Sequence, residues 1–134
     1  MVAQDSSYDE NALRVESRLG DLQIVRGIQG TVVARAGVFH GPKVANLVSQ
    51  SDKALAEAKV FERSYEPGQA FVALGIATLG AAIGASRIQD INAAIPSGLT
   101  AASFLLIAYG GSKLESAYRA LSRAIWFYNR DLKR

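Results

Sequence analysis

The sequence predicts a mainly α fold: an antiparallel two-helix transmembrane hairpin, extended on one side as a helical stalk, with a small N-terminal β-hairpin or meander. Three observations predict it. Two uncharged blocks, residues 67–86 and 91–112, flank a short polar break that carries Arg87, Gln89 and Asp90. Charge is otherwise crowded into the flanks, so a chain with 20% charged residues still reaches a mean hydropathy of +0.10. Short β-branched runs precede the blocks, whereas amphipathic helical spacing borders them. Residues 1–50 therefore read as a small soluble module and residues 51–134 as the transmembrane hairpin with its stalk.

Residues 1–11 are polar and acidic. Ser7-Tyr8-Asp9-Glu10 fits a capping box, after which Tyr8, Ala12, Val15 and Leu19 share a helical face. The same stretch also alternates as a strand, with Leu13, Val15 and Ser17 against Arg14, Glu16 and Arg18. Helix and strand both stay open for residues 8–19. Leu22–Arg26 and Thr31–Arg35 are β-branched runs separated by Gly27-Ile28-Gln29-Gly30, a spacing suited to a hairpin. A meander of two or three strands over residues 12–36 is too small to stand alone and needs a helix over its apolar face.

Gly41-Pro42 precedes a short helix over residues 44–48, with Pro42 in its first turn. Ser51 caps a longer helix, and Asp52 suits the positive end of its dipole. Ala54, Ala58, Phe61 and Tyr65 give that helix an apolar seam. Pro67 is expected to kink or break it by removing a backbone donor, a kink being favoured. Residues 69–86 then cover about 27 Å at 1.5 Å per residue, close to a bilayer core, with no charged face.

The second block has Pro96 in its first turn and continues past Lys113 without a turn signal. Leu114, Tyr118, Leu121, Ile125, Tyr128 and Leu132 follow heptad spacing. The two arms mirror each other about residue 91, so Phe61 is expected near Leu121, Ala58 near Ile125 and Ala54 near Tyr128. Within the bilayer Ala73, Ala77, Ala81 and Ala85 form a small-residue stripe, with Gly80 and Gly84 beside it, that lets helix backbones approach.

Lys and Arg beside the spans outnumber the single Arg87 of the loop. The positive-inside rule therefore places both termini in the cytoplasm and the loop outside. Met1–Tyr8 lacks a charged and apolar leader, although a leader removed from a longer precursor would put the termini outside.

Little in the sequence offers chemistry. With no cysteine there are no disulfides, thiolate nucleophiles or cysteine metal sites. His40, the one histidine, precedes Gly41-Pro42 and reads as an exposed loop residue. Asp5, Asp9 and Glu10 are the nearest approach to a hard-cation cluster, and nothing fixes their geometry. Glu57 with Lys53 and Glu62 with Lys59 resemble pairs on a solvated helix face. Gly27-x-x-Gly30 and the glycines at 75, 80 and 84 match no phosphate-binding loop. The spans hold no ionisable group besides Tyr109, unlike transporters and proton relays. Thr78, Thr100 and Ser103 are expected to bond the helix backbone.

Trp126, Phe127 and Tyr128 cluster with Arg123, Asn129 and Arg130. Such a group suits a membrane interface, single-stranded nucleic acid, or a purely structural role with Trp126 and Phe127 covering the meander. Nucleic acid is the least expected, because the stretch is short and tethered to a membrane. The ending Ala124-Ile125-Trp126-Phe127-Tyr128-Asn129, after a Gly/Ala-rich hairpin, resembles uncharacterised small bacterial envelope proteins that end in an A-(I/V)-W-x-Y-N motif. The resemblance covers roughly residues 50–132; it implies a bacterial membrane origin and brings no activity.

The expected function is that of a non-enzymatic, membrane-anchored accessory or scaffold subunit acting through protein–protein contacts. Catalytic, cofactor-binding and metal residues are all expected to be absent. Partners would be the lipid bilayer and other membrane subunits or further copies of the chain, with no nucleic acid and no small-molecule substrate. Candidate contact residues are Trp126, Phe127 and Arg130 on the soluble side, and Gly80 and Gly84 in the membrane. Two alternatives remain: a pore-forming or lipid-remodelling hairpin, and a soluble helical-hairpin binding module.

Overall fold

Seven elements follow one another in the computed structural model, which describes residues 6–18, 21–37 and 40–133. They are α1 (Ser6–Asn11), β1 (Leu13–Arg18), β2 (Asp21–Arg26), β3 (Thr31–Arg35), α2 (Val44–Leu47), α3 (Asp52–Ala85) and α4 (Ala94–Asp131). The protein is mainly helical: α3 and α4 pack antiparallel, and a small three-stranded antiparallel sheet lies at the N-terminal end.

The ambiguity over residues 8–19 resolves into a switch. Helix α1 ends at Asn11 and β1 starts at Leu13, so neither periodicity spans the stretch. Leu13 is buried and Val15 is 40% exposed, which discards the helical face expected for Val15; Leu19 lies outside the described residues. The sheet is a meander in the order β1-β2-β3. Arg26 pairs with Thr31 across the Gly27–Gly30 loop, and both loop glycines take a left-handed φ of 69°. That region favours glycine because it has no Cβ. A Cβ on Gly27 would also lie 2.7 Å from the Glu10 carbonyl oxygen, where the loop meets the end of α1. One bulge interrupts β2–β3 between Ile24 and Val25, leaving Val33 as the extra residue.

Leu13, Leu22 and Ile24 join Phe61, Tyr65, Leu121, Ile125 and Tyr128 in one buried cluster. The meander thus has its covering helices, and the core lies where the sheet leans on the stalk. Val44 and Val48 enter the same cluster from either end of α2. The Glu62 carboxylate holds α2 in place by accepting from the Ala45 N–H at 3.0 Å, so Glu62 serves the short helix rather than the solvated pairing with Lys59. Glu57 likewise reaches across the hairpin, with 3.2 Å between its Oε2 and the Nε of Arg123.

Ser51 caps α3 as expected, its hydroxyl accepting from the Ala54 N–H at 3.4 Å. Helix α3 continues through Pro67 without a break. On the α4 side, the Asn92 side chain accepts from the Ala94 N–H at 3.0 Å and opens the helix two residues before Pro96.

The mirror about residue 91 is present. Positions where a Cβ on glycine would meet the other helix pair Gly68 with Leu114, Gly75 with Ile107 and Gly110 with Val72, each pair centred on 91. Phe61 and Leu121 are both buried in the shared cluster. The seam itself is rotated slightly from the expected one. Ala117, Ala120 and Ala124 are fully buried, whereas Tyr118 is 42% exposed. Ala124 opposite Ala58, and Ala117 opposite Tyr65, let the backbones come closer than a Tyr118 knob would allow.

Candidate membrane and partner interface

Each long helix is packed in its charged half and bare in its apolar half. The most apolar window of α3 has a mean hydropathy of 1.6 and is 17% buried; that of α4 has 1.3 and is 11% buried. Both helices are long and apolar enough to cross a membrane. A core helix of a water-soluble domain would bury such a window. Here Ile76, Ile83, Phe104 and Leu105 point outward, Leu105 being 72% exposed.

What the apolar halves bury is the seam between them, and it is made of small residues. Gly68, Gly75 and Ala82 on α3 recur every seven residues and are buried, as are Ser103 and Gly110 on α4. A Cβ on Gly75 would lie 2.6 Å from Ile107 Cγ1 and 3.0 Å from the Ser103 carbonyl oxygen, and one on Gly110 would lie 2.8 Å from the Gly68 carbonyl oxygen. The backbones are therefore in contact, the geometry small residues permit inside a membrane. This corrects the expected stripe: Ala77 and Ala81 face outward while Ala73 and Ala85 are half-buried. The seven-residue repeat of Gly68, Gly75 and Ala82 marks the packed face of α3.

The hydroxyls of this region bond the helix backbone, as expected. Thr78 donates to the Leu74 carbonyl at 2.8 Å, Thr100 to Pro96 at 2.8 Å, and the buried Ser103 to Thr100 at 2.7 Å. In lipid such bonds remove the cost of an unpartnered hydroxyl. At the stalk end of the apolar halves, Phe71 and Tyr109 stack edge-to-face at 4.9 Å, and the Lys113 ammonium lies 5.5 Å from the Tyr109 ring.

Gly80 and Gly84 face away from α4, and a Cβ on either would meet nothing within 4 Å. The two membrane candidates thus lie outside the intrachain seam, on the open surface of α3. At the far end of the stalk, Trp126 is 59% exposed while Phe127 and Arg130 are half-buried. The three form one stack. Trp126 and Phe127 meet edge-to-face at 5.1 Å, and the Arg130 guanidinium lies 5.2 Å and 5.0 Å from their ring centres. Arg130 is held there by Asp131, whose Oδ1 accepts at 3.1 and 2.9 Å, while the Asp131 Oδ2 accepts from the Ser51 hydroxyl at 2.6 Å. Phe127 packs on the buried cluster; Trp126 does not cover the meander but points to solvent beside Tyr8 and Lys133.

The sequence reading missed Asn129. Its side-chain oxygen accepts from the Leu13 N–H at 2.8 Å and its amide donates to the Leu13 carbonyl at 2.8 Å. One asparagine thereby stands in for a neighbouring strand and fastens β1 to α4. An asparagine beside the buried Tyr128, a residue type poorly suited to helix interiors, was the available signal.

His40 is exposed, with its carbonyl accepting from the Gly37 N–H at 2.8 Å. Asp5 lies outside the described residues, and among those described no group of three or more His, Asp or Glu side chains is placed to hold a metal ion. Comparison of the chain with protein-family models, with curated proteins and with solved structures finds no match in any of the three.

Proposed function

We propose that this chain is a non-enzymatic membrane-anchored accessory or scaffold subunit, working through protein–protein contacts from a hairpin in a bacterial inner membrane with both termini cytoplasmic. The observation that carries the reading is the contrast along α3 and α4. The same two helices are sealed against the sheet in one half and leave their apolar windows 17% and 11% buried in the other. Exposed apolar surface on this scale belongs against lipid or against another apolar chain. The charge asymmetry between stalk and loop supports the orientation. The Trp-x-Tyr-Asn ending supports the bacterial origin through the resemblance it carries.

Two surfaces remain for partners. Gly80 and Gly84 offer an open, small-residue face within the span, suited to a helix of another subunit or of a second copy. Trp126, Phe127 and Arg130 offer an aromatic and cationic stack on the soluble side, the composition enriched where proteins bind one another. Extraction in mild detergent followed by native mass spectrometry tests the proposal. The expected result is an oligomer or a complex with other membrane subunits that Gly80→Ile or Trp126→Ala weakens. A strictly monomeric, partner-free species counts against it, as does recovery of the whole chain from a detergent-free supernatant.

A further inference from the structure

The apolar halves end at the stalk side in a specific arrangement. Phe71 on α3 and Tyr109 on α4 meet edge-to-face at 4.9 Å, and Lys113 lies one turn beyond Tyr109 with its ammonium 5.5 Å from that ring. Tyr109 is 51% exposed. Level with Lys113 on the other helix, Gln69 donates to the Tyr65 hydroxyl at 3.0 Å, and on α4 the ion pair of Arg119 with Glu115 follows on the stalk side. On α4 apolar surface, a phenol and an ammonium thus follow one another within two turns, with Phe71 of α3 packed at the level of the phenol. Hydrocarbon, glycerol ester and phosphate follow in the same order across a leaflet, and amphipathic rings and flanking lysines concentrate at that boundary. From Phe71 to Arg87 the helix rises about 24 Å, which sets the charged loop near the opposite boundary.

We propose that Phe71, Tyr109 and Lys113 form a collar that seats the hairpin in the headgroup layer of the leaflet nearer the stalk. Tyr109 lies at the ester level and Lys113 meets lipid phosphate. The stalk beyond the collar stands in water, and Asn129, which fastens β1 to α4, lies about 24 Å along the helix from Lys113. This rests on the membrane reading above and adds to it the depth of the chain and the lipid groups that it contacts.

Depth-dependent quenching tests the collar. In a Trp126→Phe background, a single tryptophan is introduced as Tyr109→Trp, Leu105→Trp or Tyr118→Trp, with Phe71→Trp as a second collar reporter. Each variant is reconstituted into phosphatidylcholine–phosphatidylglycerol vesicles that carry either a headgroup nitroxide or lipids brominated near the chain midpoint. The expected result is strongest headgroup quenching at positions 109 and 71, stronger mid-chain quenching at 105, and little of either at 118. Strong mid-chain quenching at 109 and 71, or headgroup quenching greatest at 118, overturns the collar while leaving membrane insertion intact. Failure of the parent chain to float with the vesicles overturns the membrane reading itself.

Discussion

Asn129 joins two parts of the chain that are 116 residues apart, through both polar groups of Leu13. Asn129→Leu leaves a half-buried N–H and C=O without those partners and is expected to cost about 1–3 kcal/mol. Hydrogen exchange at the Leu13 amide should accelerate while the helical signal of the hairpin is retained; unchanged protection there would show that the sheet is held by apolar contact alone. Asn129→Asp keeps the acceptor for the N–H but sets a second oxygen against the Leu13 carbonyl, so it should fall between the two. Asp90 makes a separate prediction. Its φ of 76° lies in the left-handed region, where a β-carbon is strained. Asp90→Gly is expected to stabilise the hairpin by about 1 kcal/mol in chemical unfolding, and Asp90→Val to destabilise it. Local chemistry at this scale was partly legible. The Ser51 cap and the hydroxyl bonds of Thr78 and Thr100 follow from residue type and immediate neighbours. The Asn129 pairing and the Asp131–Ser51 bond depend on which distant segments meet, and no local pattern encodes that.

Between elements, the approach of α3 to α4 is set by glycines rather than by large apolar residues. Gly75→Leu drives a side chain into Ile107 and the Ser103 backbone and is expected to destabilise the hairpin by about 1–3 kcal/mol. Gly80→Leu, facing open surface, should leave hairpin unfolding within about 0.5 kcal/mol of the parent. Unfolding titrations in detergent micelles check both, and equal losses at the two positions would place the seam elsewhere. Element types and the mirrored arms were legible because heptad spacing survives in the sequence on each side of residue 91. The rotational phase was not. Spacing that favours Tyr118 differs by a single position from spacing that favours Ala117, and close backbone packing decides for the smaller residue. Pro67 was legible as an irregularity, yet one missing donor at an exposed position did not end a helix held on both sides by its seam.

At the scale of the whole molecule, one pair of helices carries two kinds of surface: a mixed apolar core under the sheet, then bare apolar surface beyond it. Segregated charge made that division visible in the sequence, because a water-soluble domain disperses its charges over every surface helix. The way the sheet leans on the stalk was foreseen only as a need for cover, since short strands do not record which helix covers them. One consequence concerns permeation. Along the apolar halves the backbones of Gly68, Gly75 and Gly110 occupy the space between the helices, so a single hairpin encloses no lumen. Any conductance must come from several copies arranged around a shared axis. Dye efflux from vesicles, if it occurs, should therefore rise more steeply than the first power of the protein-to-lipid ratio, and a strictly linear rise would mean that one copy conducts.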